Sequence, residues 1–102
     1  MEITEVKVFP VDEEKLKAYI TIVLDNCFVI RDLKIIGGIA GLFVAMPSKR
    51  RKDGSFKDIA HPLNQATRAF MEKRILDSYL GEIKRIGGRA TQTAEQAEKA
   101  DV

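Results

Sequence analysis

The sequence is poor in the side chains that most catalytic and metal-binding sites require. Its 102 residues include one cysteine, one histidine and no tryptophan. A single cysteine excludes an internal disulfide. One cysteine and one histidine together cannot supply the four ligands of a zinc site. No glycine spacing matches a dinucleotide-binding or phosphate-binding loop. We therefore expect no enzyme activity, no metal, no cofactor and no small-molecule substrate.

Cys27 and His61 are the two reactive side chains that need an interpretation. Cys27 lies between a turn and a strand, where a buried thiol is favoured over a nucleophile because the sequence places no base nearby. His61 stands before Pro62 without neighbouring ligands. A structural or surface histidine is therefore favoured over a general base or a metal ligand.

Long hydrophobic runs are also missing. None approaches the roughly 18 apolar residues that a membrane-spanning helix requires, and no basic segment followed by an apolar stretch opens the sequence. We therefore expect neither a secretory signal nor membrane insertion, and with a single cysteine the chain is predicted to be cytoplasmic. Its length and its apolar fraction of 45% are typical of one globular domain.

Hydrophobic periodicity predicts an antiparallel sheet of about five strands. The alternation is clearest over residues 16–24, and the other strands are predicted at 3–9, 28–36, 42–46 and 56–60. The apolar phase slips by one residue at Arg31-Asp32, which predicts a β-bulge. The continuously apolar segment 42–46 indicates a central strand, and the glycine-rich segment 37–41 indicates a loose connection.

One long C-terminal helix follows the strands, so the predicted fold class is α+β. Asn64 is the expected N-cap, and Gly87-Gly88 ends the helix. Apolar residues cover more than half of its circumference in the second half, which fits either a wide core face or a subunit contact. Residues 89–102 are predicted to be a disordered tail after a domain of residues 1–88.

The net charge of +2 hides an uneven distribution. Residues 49–89 carry eleven basic and five acidic side chains, whereas the segments on both sides are net negative. Four consecutive cations, Lys49, Arg50, Arg51 and Lys52, lie in a polar loop, and Lys57 follows them. Such a cluster favours phosphate contacts along a nucleic-acid backbone. An inert solvated loop and a site for an anionic membrane or an acidic protein are the alternatives.

The helix also carries basic residues, which are weaker candidates for nucleic-acid binding than those of the loop. Arg68 is the helical residue that we include in the candidate interface. Acidic partners lie at helical spacing from three helix cations, as Arg68 to Glu72, Lys73 to Asp77 and Arg85 to Glu82. Pairs at this spacing neutralise part of the charge. The predicted nucleic-acid-binding set is therefore Lys49, Arg50, Arg51, Lys52, Lys57 and, with less weight, Arg68.

Three segments carry a resemblance to a known family. The run from Phe28 to Pro47 with its Gly-Leu-Phe-Val-Ala-Met-Pro-Ser ending, the run Phe56-Lys-Asp-Ile-Ala-His-Pro-Leu-Asn64, and Ile3-Thr-Glu-Val-Lys-Val8 resemble the stage V sporulation protein G (SpoVG) family of bacteria. The resemblance implies a small α+β homodimer that binds DNA, and in some members RNA, and regulates transcription. It also implies a link to septation in cell division and to sporulation.

These observations lead to two functional hypotheses. The first is a nucleic-acid-binding regulatory protein, for DNA or RNA, that affects gene expression and formation of the division septum. The alternative is a protein-interaction module of the septation machinery whose basic loop binds an acidic partner without contacting nucleic acid. A homodimer is expected in either case, because open sheet edges and spare apolar helix surface favour self-association.

Overall fold

Six strands and one helix follow one another along the chain. A computed structural model describes residues 1–86. Its elements are β1 (Ile3–Pro10), β2 (Leu16–Leu24), β3 (Phe28–Gly38), β4 (Gly41–Ala45), β5 (Ser48–Arg50), β6 (Phe56–Asp58) and α1 (Gln65–Arg85). The α+β class with one long helix is confirmed. The predicted tail and the last two residues of the predicted domain lie outside the described residues.

The strands form two sheets and not one. β1, β2, β3 and β4 make an antiparallel four-stranded sheet in sequence order, and β5 pairs with β6 alone. The prediction of a single sheet of about five strands is therefore wrong. Pro47 stands between β4 and β5 and has no backbone N–H with which to continue the ladder. The chain leaves the main sheet at this residue, and β6 pairs with the strand beside it in sequence.

β4 lies at the edge of the main sheet, where the sequence predicted a central strand. Its one hydrogen-bonded neighbour within residues 1–86 is β3, with Ile35 opposite Val44. Val44 is fully buried, whereas Leu42 and Phe43 are 36% and 44% exposed. The apolar run 42–46 therefore contains two buried residues, Val44 and Met46, and two exposed apolar ones.

The predicted bulge in β3 is confirmed. Ile20 of β2 faces Leu33, but Ile22 faces Ile30, so β3 holds one more residue than β2 over this interval. Asp32 takes up the irregularity with φ of 65°, in the left-handed region that aspartate tolerates better than most residues. The bulge shifts the phase of the strand, and Leu33 and Ile35 thereby reach the buried face.

A tight turn joins β2 to β3. Asp25 and Asn26 both have positive φ, 49° and 54°, and the N–H of Cys27 donates to the Leu24 carbonyl at 2.9 Å, as in a type I′ turn. Cys27 is the last residue of this turn and is exposed. The expectation of a buried thiol is therefore wrong, because the turn places the side chain at the end of the sheet.

The glycine-rich segment is mostly strand. Gly37 and Gly38 belong to β3 and Gly41 opens β4, so the connection is reduced to Ile39 and Ala40. The predicted loose connection is wrong because the β3–β4 ladder continues through the glycines, with Gly37 opposite Leu42 and Gly38 opposite Gly41. The N–H of Gly37 donates to the Lys15 carbonyl at 2.8 Å. A Cβ at Gly37 would lie 2.9 Å from Cε of Lys17.

One face of the main sheet and one stripe of the helix form the core. The sheet contributes the fully buried side chains Ile20, Ile22, Leu33, Ile35 and Val44. The helix contributes Met71, Ile75 and Tyr79 at four-residue spacing, and burial raises the pKa of Tyr79. Leu80 and Phe70 stay about half exposed on the same helix. No helix within residues 1–86 is long and apolar enough to span a bilayer.

The N-cap of α1 generates a stability prediction. Asn64 has extended backbone geometry, and its Oδ1 accepts a hydrogen bond from the Thr67 N–H at 2.8 Å. Replacing Asn64 by alanine removes that acceptor, and we expect the free energy of unfolding to fall by about 1 kcal/mol. Urea denaturation measures the change. Asn64→Ser keeps a capping oxygen and serves as the control; equal losses in the two variants would contradict a capping role.

Candidate nucleic-acid interface

The basic residues predicted from the sequence lie on a two-stranded hairpin that stands apart from the main sheet. β5 and β6 pair with Ser48 opposite Asp58, Lys49 opposite Lys57, and Arg50 opposite Phe56. The N–H of Ile59 donates to the Pro47 carbonyl at 2.8 Å and closes the base. Every residue of the two strands is exposed. We call residues 47–59 the basic hairpin.

A hydrogen-bonded turn shapes the tip of the basic hairpin. The Arg51 N–H donates to the Ser55 carbonyl at 2.7 Å, and the Gly54 N–H donates to the Arg51 carbonyl at 3.0 Å. The Arg51–Ser55 hydrogen bond encloses the three residues 52–54. Gly54, the last of them, has φ of 90°, a conformation that favours glycine. The polar loop expected from the sequence is therefore a hydrogen-bonded hairpin in the structure.

Asp53 is the acidic residue of the tip, and its carboxylate is held inside the turn. Its Oδ1 accepts from the Ser55 hydroxyl at 2.6 Å and from the Ser55 N–H at 2.9 Å. These two hydrogen bonds, the hydroxyl first, lower the pKa of Asp53 below its ordinary value. The carboxylate thus helps to order the turn and forms no ion pair with a described basic side chain.

Five predicted residues come together in one groove. A groove of about 400 Å³ is lined by Lys49, Arg50, Arg51, Lys52, Lys57 and the apolar Ile59. None of the five cations forms a salt bridge with a carboxylate of residues 1–86, whereas Arg68, Lys73 and Arg85 on α1 do. The groove therefore concentrates positive charge that the described part of the chain leaves uncompensated, which favours a polyanionic ligand.

Arg68 does not line the groove. Its Nη2 donates to the Val44 carbonyl at 3.3 Å, and its Nε lies 3.5 Å from Oε1 of Glu72. The guanidinium thereby joins the first turns of α1 to the edge strand β4. The ion pairs Lys73–Asp77 and Arg85–Glu82 are also present, so all three helix pairs predicted from the spacing are confirmed.

Two features near the basic hairpin were not predicted from the sequence. Phe56 and Ile59 are 69% and 66% exposed, although apolar residues in a predicted strand suggest burial. A second, apolar cavity of about 420 Å³ lies between the end of the main sheet and the start of α1, and Pro47, His61 and Leu63 are among its lining residues.

Possible metal ligands and His61 are the other site candidates of the described residues. Within residues 1–86, no three His, Cys, Asp or Glu side chains converge as a metal site requires. His61 is exposed, and its Nδ1 lies 3.0 Å from the Pro62 carbonyl oxygen. The surface position that the sequence favoured for His61 is therefore confirmed.

The turn at Asp53 generates a prediction about pH. Because the folded-state pKa is lowered, the stabilising contribution of Asp53 is present above its unfolded pKa and is lost as pH falls through the folded value. Replacing Ser55 by alanine removes the larger cause, so we expect the Asp53 pKa to rise toward its ordinary value. Carboxyl-detected NMR titration measures it. An unchanged Asp53 pKa in Ser55→Ala would contradict the assignment.

Comparison with known proteins places the chain in a family. The sequence profile of the SpoVG family matches residues 1–81. A relative from Anaeromyxobacter sp. (strain K), named "Putative septation protein SpoVG", is 69% identical over 96 residues, which cover 91% of this chain and 95% of the relative. Relatives of the same name from Bdellovibrio bacteriovorus and Caldicellulosiruptor bescii are 67% and 46% identical, covering 85% and 78% of this chain and 81% and 91% of their own lengths. With its α+β fold and these matches, the chain belongs to the SpoVG family.

Proposed function

We propose that this protein binds nucleic acid through the basic hairpin and thereby regulates gene expression. The observation that carries the proposal is the groove in which Lys49, Arg50, Arg51, Lys52 and Lys57 lie together without acidic partners among the described residues. Cations that are already paired on α1 have less attraction to offer a polyanion. The hairpin cations keep theirs, and a ligand that neutralises them also relieves their mutual repulsion.

Phosphate groups are the ligands that suit this arrangement. Arginine can hold a phosphate through two parallel N–H donors, while lysine contributes a mobile point charge. The register places Lys49 and Lys57 on one face of the ribbon and Arg50 on the other. Cations on both faces can therefore follow a phosphate backbone past the tip. Such contacts hold the backbone and do not by themselves read its sequence.

The edge strand β4 supports a homodimer. It carries neither charge nor proline, and Leu42 and Phe43 are exposed on it. Natural sheets normally protect a free edge with charged residues or proline, because unpaired backbone groups otherwise recruit another strand. Pairing β4 with its copy would continue the sheet across a two-fold axis. Two basic hairpins would then act on one nucleic acid from a defined separation.

A role in septation enters the proposal through the relatives. Proteins 46–69% identical to this chain carry septation in their printed name, and the family match over residues 1–81 includes the basic hairpin and β4. We propose that this protein also affects formation of the division septum, through the genes it regulates. The cytoplasm, where nucleic acid and the division machinery meet, is the compartment that this function requires.

The charge of the hairpin tip is tested by removing it. In the variant K49A/R50A/R51A/K52A, we expect weaker binding to unrelated duplex DNA sequences alike, because fewer cations remain to neutralise the phosphates. The slope of log affinity against log salt should flatten by about 0.9 for each phosphate that is no longer neutralised. Fluorescence anisotropy at a series of salt concentrations measures both quantities, with DNA and RNA probes compared.

The matched control removes cations that are already ion-paired. In K73A/R85A, the partners Asp77 and Glu82 lose their cations, and we expect the salt slope to stay the same. Unchanged affinity and slope in the hairpin variant would refute the basic hairpin as the site. If the wild-type protein binds neither DNA nor RNA at low salt, the protein-interaction module becomes the better explanation.

The β4 edge is tested by adding a charge to it. Leu42→Lys places a cation from each subunit on the proposed paired edge, and we expect the dimer to dissociate. Light scattering at micromolar concentration measures the mass. Leu80→Lys, on the exposed side of α1, is the control and should leave the dimer intact. A monomeric wild-type protein would contradict the proposal, and dissociation by Leu80→Lys alone would move the contact to the helix.

A further inference from the structure

Phe56 is an aromatic ring held in solvent within the basic hairpin. It is 69% exposed and forms no part of the hydrophobic core or of the partly buried shell around it. Single exposed apolar residues are common on protein surfaces, so the exposure alone assigns no role. The ring does not line the groove, but it lies opposite Arg50, one of the groove cations, and this position is what gives it a role.

The ribbon register pairs the ring with a guanidinium. Phe56 lies directly opposite Arg50, whereas Lys49 lies opposite Lys57. Directly opposed residues share a face of the ribbon with Cβ atoms about 5 Å apart. One face therefore carries Phe56 and Arg50, with Ser48 and Asp58 as the next pair along it, and the other face carries the two lysines. Nη2 of Arg50 lies 4.0 Å from the point where a Cβ of Gly54 would stand, so the guanidinium reaches toward the tip.

We infer that Phe56 is a stacking platform for an unpaired nucleobase, and that the hairpin takes single-stranded nucleic acid in preference to duplex. This inference rests on the proposed function. A base in a duplex is stacked between its neighbours and offers a protein only its edges, whereas an unpaired base exposes a face. A phenyl ring opposite Arg50, with Lys49 and Lys57 on the other face of the ribbon, fits both parts of a single strand, because the ring can take the base and the cations the phosphates.

Removing the ring tests the preference. Binding of Phe56→Ala to an oligothymidylate and an oligouridylate of about 16 nucleotides should weaken about 5- to 150-fold, while its binding to a blunt duplex of the same length stays unchanged. Phe56→Leu keeps an apolar side chain without the π face and should lose as much, and Phe56→Tyr should restore binding. Phe28→Ala is the matched control, because Phe28 is 63% exposed on β3, outside the hairpin.

A fluorescent reporter tests stacking directly. The sequence contains no tryptophan, so Phe56→Trp introduces a single indole at the site and Phe28→Trp introduces one at the control position. Base stacking should quench the emission of the first with the single strand and not with the duplex, and should leave the second unchanged.

The outcomes separate this inference from the proposal beneath it. Full affinity of Phe56→Ala for both single strands, with an unquenched Phe56→Trp, overturns the stacking role while nucleic-acid binding stands. Equal losses for duplex and single strand also overturn it, because the ring would then support the hairpin and not a base. If the wild-type protein binds no probe, both are overturned. A DNA probe bound like an RNA probe is expected, because stacking ignores the 2′-hydroxyl.

Discussion

The structure depends on one helix covering one face of a four-stranded sheet. Ile20, Ile22, Leu33 and Ile35 reach zero exposure only because Ile75 and its neighbours on α1 lie against them. The helix contacts the two outer strands, β1 and β4, so it spans the sheet. The chain must therefore travel from the end of β4 to the start of α1, and the basic hairpin is built from the residues of that connection.

The cations on α1 and the cations on the basic hairpin lie in different surroundings. Cations on α1 lie on a regular surface where an acidic residue three or four positions away is within reach, and such pairs form. Cations on the basic hairpin alternate across a narrow ribbon whose one tip carboxylate is bound to Ser55. Three cations of α1 are thus paired with carboxylates, whereas the five groove cations have no acidic partner among the described residues.

Local patterns predicted the local structure well. Alternation indicated β2, the phase slip at Arg31-Asp32 predicted the bulge, and Asn64 was identified as the N-cap. Partners of strands were harder to predict, because pairing depends on where the chain leaves a sheet. The apolar run of β4 indicated a central strand, and a three-residue β6 was assigned to the wrong sheet for this reason.

The candidate site was predictable in its charge and not in its apolar part. Five contiguous or nearby cations indicate a basic patch in any fold, and the structure brings them to one groove. Phenylalanine in a strand ordinarily indicates burial. Phe56 is exposed because β5 and β6 form a separate two-stranded sheet, which the sequence did not predict. The use of Arg68 as a link between α1 and β4 likewise required the tertiary structure.

The closure of the hairpin between Pro47 and Ile59 has a consequence for how the domain tolerates change. The hairpin strands form their ladder with each other and not with the main sheet, so the opening of the tip need not disturb the cooperative unit that holds the core. Substitutions there alter the surface potential while the folding of the rest proceeds as before. Selection can therefore change the binding surface without changing the scaffold. Affinity for a ligand can change in steps that leave the domain equally stable.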